Sequence, residues 1–243
     1  MSLRVGYKKG TSKVPAIIVA PHGYKYDDTN TDYIADTISN LLDCTHIINY
    51  GWERSDKFDY FKDKANCNNI EHIKEDVIKD EFLNPIINSY NNYLNRGYLP
   101  SIFIIHGVHD SIRNSPNAKY LDLIIGSGST KRRSCSLWDE HFFCRCLSNK
   151  MFNVWKGDEN GKYSGSTYNN LNQLLNHNDY KNNFANVEKS SFQIEIVKSL
   201  RKDELTMFDA SHRIADSILN FLTIKNNPAA TYSIDYGVTF PEI

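Results

Sequence analysis

The strongest constraint on the fold is an alternation of two patterns. Short apolar runs bounded by turn residues recur along the chain, and most are followed by a segment with apolar residues at helical spacing. The first run is "PAIIVAP" (Pro15 to Pro21), β-branched and closed by proline at both ends, as a buried strand is. After it Ile34, Ile38, Leu41 and Leu42 recur at helical spacing, with N-cap candidates at Thr29 to Thr31. "THIINY" (Thr45 to Tyr50), "SIFIIHG" (Ser101 to Gly107), "LDLIIGSG" from Leu121, "MFNVW" (Met151 to Trp155) and "SFQIEI" (Ser191 to Ile196) read as further strands. Helices are expected over a long segment from Ile70 to Leu94, which Pro85 kinks or divides and Gly97 ends. Two more are expected near Leu137 to Ser148 and from about Asp203 to Ile224, the last with Leu205, Phe208, Ala215, Ile218, Leu219 and Leu222 inward.

This β-α-β-α order predicts one α/β domain over residues 1–243, three-layered α/β/α, about a largely parallel (mixed) central sheet. Two long loops rich in Asn, Asp, Lys and Gly are expected near residues 51–69 and 157–189. Loops of that length in compact domains tend to carry function or to be disordered.

Composition narrows the partners. A net charge of −1 argues against bulk nucleic-acid binding, and the basic cluster Lys131 to Arg133 is short. No apolar run approaches the roughly 20 residues of a membrane span, and "MSLRVGYKKG" lacks the apolar core of a signal peptide. Five scattered cysteines without a CxxC pair fit a reducing cytoplasm better than a disulfide framework.

The chemistry gathers at strand ends. In open α/β sheets ligands sit beyond the carboxyl ends of the strands. One strand ends at His22, another at His106 in "FIIHGVHD", and a late strand carries Glu195 in "FQIEI". If these strands are neighbours, the side chains share one rim. Two imidazoles with a carboxylate from Asp27 or Asp28 form the three-ligand set of a catalytic zinc site, which leaves one position open. Glu195, between Ile194 and Ile196, must be paired, protonated or functional, since an isolated buried carboxylate is costly. As general base it would move a proton from water to a leaving amine. Its bland alternative is a salt bridge to Arg201 or Lys198. A cation near the developing oxyanion completes the set, with Arg54, Arg113, Arg132 and Arg133 as candidates. His109 and Asp110 lie near the rim as outer-shell residues, and the other histidines read as ordinary polar positions.

"APHGYKYDDTNTDYIADTI" resembles the first motif of N-formylglutamate amidohydrolase-like proteins and the related poly-γ-glutamate hydrolases: a strand ending in His-Gly, an acid, a Thr, and a helix opening on Ile-Ala. "IIHGVHDS", "NVWKGDENGKYSGSTYNN" and "SFQIEIVKSLR" are similar to later segments of the same family, in the same order. The resemblance implies a phosphorylase/hydrolase-like fold and one zinc ion on His22, Asp27 and His106. It also implies Glu195 as the acid/base, a clamping arginine, and an N-acyl amino acid or glutamyl-type peptide bearing a carboxylate as substrate. The chain departs from the pattern at "KANCNNIE", where relatives carry Asp-x-Asn-Arg and no arginine stands here; either Arg54 or Arg132 is expected to supply the clamp, or the substrate is a different one. The HxxE spacing of the wider zinc carboxypeptidases falls on Lys25, which is no ordinary ligand.

Two other classes compete: a metal- or anion-binding protein of the same fold without turnover, and a phosphorylase-type enzyme using "GSGST" (Gly126 to Thr130) as a phosphate cradle. That run matches no phosphate-loop pattern.

Overall fold

In the computed structural model, residues 3–11, 13–23, 28–52, 67–73, 79–157, 163–184 and 188–227 are described. The described residues form nine strands and four helices of twelve or more residues. In chain order they are β1 (Leu3–Lys8), β2 (Ala16–Ala20), α1 (Thr31–Leu42), β3 (Thr45–Trp52), α2 (Asn84–Asn95), β4 (Ser101–Val108), β5 (Leu123–Gly126), β6 (Gly128–Ser129), β7 (Arg132–Arg133), α3 (Leu137–Asn149), β8 (Val154–Lys156), β9 (Ser191–Val197) and α4 (Glu204–Lys225). The central sheet has seven strands in the order β1-β3-β2-β4-β9-β5-β8. Strands β3, β2, β4 and β9 run parallel, so their carboxyl ends share one edge. β1 and β5 are antiparallel to their neighbours β3 and β9, which makes the sheet mixed.

Strand alternation divides the core between the two faces. One face sends Ile18, Phe103, Ile105, Phe192, Ile194 and Ile196 against α1, α3 and α4. Rings interlock there, the Phe143 ring centroid lying 4.8 Å from that of Phe192 in a tilted pair and Phe221 5.5 Å from Phe192 edge-to-face, such pairs being worth about 0.5–1.5 kcal/mol each beyond burial. The other face sends Ile17, Val19, Ile47, Ile102 and Ile104 against α2 and the turn Leu171–Asn176. The polar side chains His106, Gln193 and Glu195 belong to this second face by alternation, near its carboxyl edge.

Pro85 does divide its segment. It sits in the first turn of α2, where a missing N–H costs nothing, after a π-helical turn at Lys79–Leu83, and Gly97 with φ of 82° ends the helix. The face of α4 differs from the expected one. Met207, Ala210, Ile214, Ile218 and Phe221 point inward with Ala215 and Leu222, while Leu205, Phe208 and Leu219 are exposed, as is Leu41 on α1. Ala210 and Ala215 are both buried in the core on this face, and α4 packs against α1. At its last turn Lys225 forms a buried ion pair with Asp139 on α3. "GSGST" and the basic cluster form the two-stranded β6-β7 hairpin, in which a Cβ on Gly128 would lie 2.0 Å from the Arg132 carbonyl. No helix among the described residues is long and apolar enough to cross a membrane.

Candidate metal centre

The residues after β2 are pinned in place. Asn49, buried on β3, donates from Nδ2 to the Pro21 carbonyl at 2.9 Å. Gly23 fits because any Cβ would meet the Asn49 carbonyl, Asp32 and Ile48 at 3.0 Å each. His22 is thereby held at the end of β2. Asp28 precedes α1, and its carbonyl accepts from the Thr31 amide at 3.1 Å and the Thr31 hydroxyl at 2.8 Å. The helix N-cap is Asn30, in the left-handed region at φ of 68°, without a side-chain capping bond.

His22, Asp28 and His106 converge here. One donor atom from each lies within 4.8 Å of the other two. His106 Nδ1 is 3.0 Å from Asp28 Oδ2, and His22 Nδ1 is 3.4 Å from the same oxygen. The two imidazole centroids are 4.9 Å apart. Ligands bound tetrahedrally at zinc distances of 2.0–2.2 Å stand about 3.4 Å from one another, so the cluster already has nearly the span of a ligand set. Burial pushes the Asp28 carboxyl up, but hydrogen bonds and charge from His106 and His22 outweigh it and hold the group well below the usual carboxylate range. His106 Nε2 is buried and has no hydrogen-bond partner. An orphaned buried nitrogen is costly, and it is the kind of deficit that an ion or ordered water answers. Two imidazoles and one carboxylate suit zinc and, as a donor set, also cobalt, nickel or iron.

Glu195 stands beside this cluster, directly across from His106 in the β4-β9 register. Burial pushes its carboxyl up to about 7, against a lowering influence from His106. Gln193, two residues earlier on the same face, donates from Nε2 to Glu195 Oε1 at 2.8 Å. No ion pair joins Glu195 to Arg201 or Lys198 among the described residues. Arg201 instead donates to main-chain carbonyls.

The structure therefore brings His22, His106 and Asp28, one of the two candidate carboxylates, together, with Glu195 across the register from His106. Asp27 and Arg54 lie outside the described residues. Arg132 is exposed, its guanidinium 5.2 Å from the Tyr168 ring centroid. Arg113 is engaged by the Leu121 carbonyl, Ser199 and Asp122, and Arg133 by Glu140. Near the rim, His109 Nδ1 accepts from the Ser111 amide and Asp110 accepts from the Ser199 amide, tying the segment after β4 to that after β9. Gln193 and Asn49 were not singled out from the sequence. Strand alternation alone puts Gln193 on the Glu195 face, whereas the Asn49 bond to Pro21 depends on β3 lying beside β2.

No family model matches the sequence, and no curated protein does. Solved structures do. N-formylglutamate amidohydrolase from Ralstonia eutropha JMP134 superposes with a TM-score of 0.59 at 11% identity, covering 93% of this chain and 99% of that one. A gene product from Agrobacterium tumefaciens gives 0.56 at 11% identity, with 91% and 94% covered. A bacteriophage poly-gamma-glutamate hydrolase gives 0.49 at 12% identity, with 96% and 91% covered. With so little identity the likeness is one of architecture: the chain has the fold of N-formylglutamate amidohydrolase.

Proposed function

We propose that the protein is a zinc-dependent amidohydrolase that cleaves an amide bond of an N-acyl amino acid or glutamyl-type peptide. The observation that carries this reading is the convergence of His22, Asp28 and His106 at the strand ends beside a buried Glu195 that makes no ion pair with Arg or Lys among the described residues. His22, Asp28 and His106 would hold the ion. A zinc ion so held supplies Lewis acidity and an activated water at neutral pH. Glu195 is the proton carrier. Gln193 fixes its Oε1 at 2.8 Å, which leaves Oε2 to take the proton from the attacking water and return it to the leaving nitrogen. A carboxyl near 7 is matched to both halves of that transfer. Asn49, through Pro21, keeps His22 aimed at the shared centre.

The substrate class is supported by the four motif resemblances and by the architecture shared with N-formylglutamate amidohydrolase. We assign the substrate's carboxylate to Arg132 or Arg54, since Arg113 and Arg133 already have acidic partners. The test is a panel of N-formyl and other N-acyl amino acids and γ-glutamyl peptides, assayed with the zinc-loaded protein. Hydrolysis of at least one class is expected, and Glu195→Gln should retain zinc while losing about 10²–10⁴-fold in rate, the scale of a general base. Zinc uptake with no hydrolysis of any member would contradict the enzyme reading.

A further inference from the structure

We infer that Arg201 is a positioning residue: from the opposite face of the sheet, its guanidinium clasps the three segments that carry Asp28, His106 and Glu195, and so sets the spacing of the metal site. This rests on the metal-site reading above. Arg201 ends the short 3-10 turn Lys198–Arg201 just beyond β9 and is 6% exposed. Its Nε donates to the Ile196 carbonyl at 3.0 Å, one residue past Glu195. One terminal nitrogen donates to the Thr29 carbonyl, one residue past Asp28. The other lies 3.5 Å from the Val108 carbonyl, two residues past His106. A guanidinium presents its donors in a rigid planar fork, so three carbonyls bound to it are held in one mutual geometry.

Two further observations support the clasp. The first is its location. Alternation puts His106 and Glu195 on one face and Gly107 and Ile196 on the other. A Cβ built on Gly107 would lie 2.3 Å from the Arg201 guanidinium carbon, so Arg201 occupies the place of the missing side chain, behind the site. It is therefore placed to orient the site residues rather than to touch substrate. The second is a return bond. Asn30 Nδ2 donates to the Arg201 carbonyl at 2.7 Å, so the 28–30 segment is tied to Arg201 twice. Asn30 holds φ of 68°, a conformation that asparagine tolerates better than most residues. Burial works against the charge of Arg201, and the carboxylates of Asp28, Glu195 and Asp110 work for it.

The experiment is competition for zinc against a chromogenic chelator, with melting temperatures measured in parallel. It uses the wild type, Arg201→Lys, Gly107→Ala, Asn30→Gly and a core control in α3, Leu147→Ala. Arg201→Lys and Gly107→Ala should weaken zinc binding by about 10–100-fold, the usual cost of disturbing residues that orient ligands. Asn30→Gly keeps the left-handed backbone and removes one hydrogen bond, so about 2–10-fold is expected. Leu147→Ala should lower the melting temperature and leave zinc affinity unchanged. Should Arg201→Lys fail to fold, the other variants decide. Wild-type affinity in the folded variants overturns the clasp and leaves the metal site standing. A loss that tracks melting temperature across all variants, the control included, also overturns it. A wild-type chain that takes up no zinc overturns both.

Discussion

Glu195→Gln, studied in the metal-free protein, tests the environment of Glu195 without any assumption about substrate. Burial pushes the Glu195 carboxyl up from about 4.5 to about 7. The folded chain therefore holds this proton over a pH range in which the unfolded chain has lost it. By linkage, stability falls as pH rises wherever the folded state binds more protons. Below about pH 4.5 both states are protonated and the contribution is fully present. It is lost as pH rises through about 7, and above that it stays lost. The difference of about 2.5 pH units corresponds to about 3 kcal/mol. Glu195→Gln has no proton to lose, so it lacks this component. Urea unfolding with chelator present, at constant ionic strength from pH 4.5 to 8, gives the stability of each protein. The variant should gain about 3 kcal/mol on the wild type across that range, with the change centred between the two pKa values. Asp28 acts with the opposite sign, since its carboxyl is held low, but it is present in both proteins and cancels in the difference. Parallel curves for the two proteins would refute the burial-raised carboxyl on which Glu195's role depends.

Asp28→Asn should weaken zinc binding far more than Asp27→Asn, because Asp28 Oδ2 is the oxygen that both imidazoles approach; equal losses in a chelator competition would count against Asp28 as the ligand. Lys225→Met leaves Asp139 buried without its cation and should cost about 3–5 kcal/mol, a melting temperature lower by roughly 10 °C. Because burial already raises the Asp139 carboxyl, that loss should be smaller at pH 5 than at pH 8, where the unpaired group is forced to ionise. An unchanged melting temperature at pH 8 would show that the pair is exchangeable with water.

β2, β4, β5 and β9 are legible because each is apolar enough on both faces to read as buried, whereas β8 is a short edge strand of three residues with Trp155 and Lys156 exposed. β1, in "LRVGYK", is not legible. It is an edge strand carrying lysine, as exposed edges do, and its apolar residues are too few to stand out. The antiparallel direction of β5 was not legible either, since a doubly buried strand reads the same whichever way it runs. At the site, His22 and His106 are legible as polar residues at the ends of apolar runs, and Glu195 as a carboxylate inside one. Asp27 and Asp28 are adjacent, so sequence alone does not choose between them; the Asp28 carbonyl is held by Thr31. From the sequence Arg201 offers itself only as a salt-bridge partner for Glu195. Its bonds go to main-chain carbonyls, which every residue has, so no side-chain pattern marks them. Its seat depends on a glycine far away in sequence, and that pairing exists only once β4 and β9 lie side by side.

The central claim is met most directly by zinc titration of the purified, chelator-stripped chain, with stoichiometry read by elemental analysis after gel filtration. One zinc per chain is predicted for the wild type and for Glu195→Gln, and none for His22→Ala or His106→Ala. Undiminished zinc uptake by either histidine variant, or none by the wild type, would contradict the account.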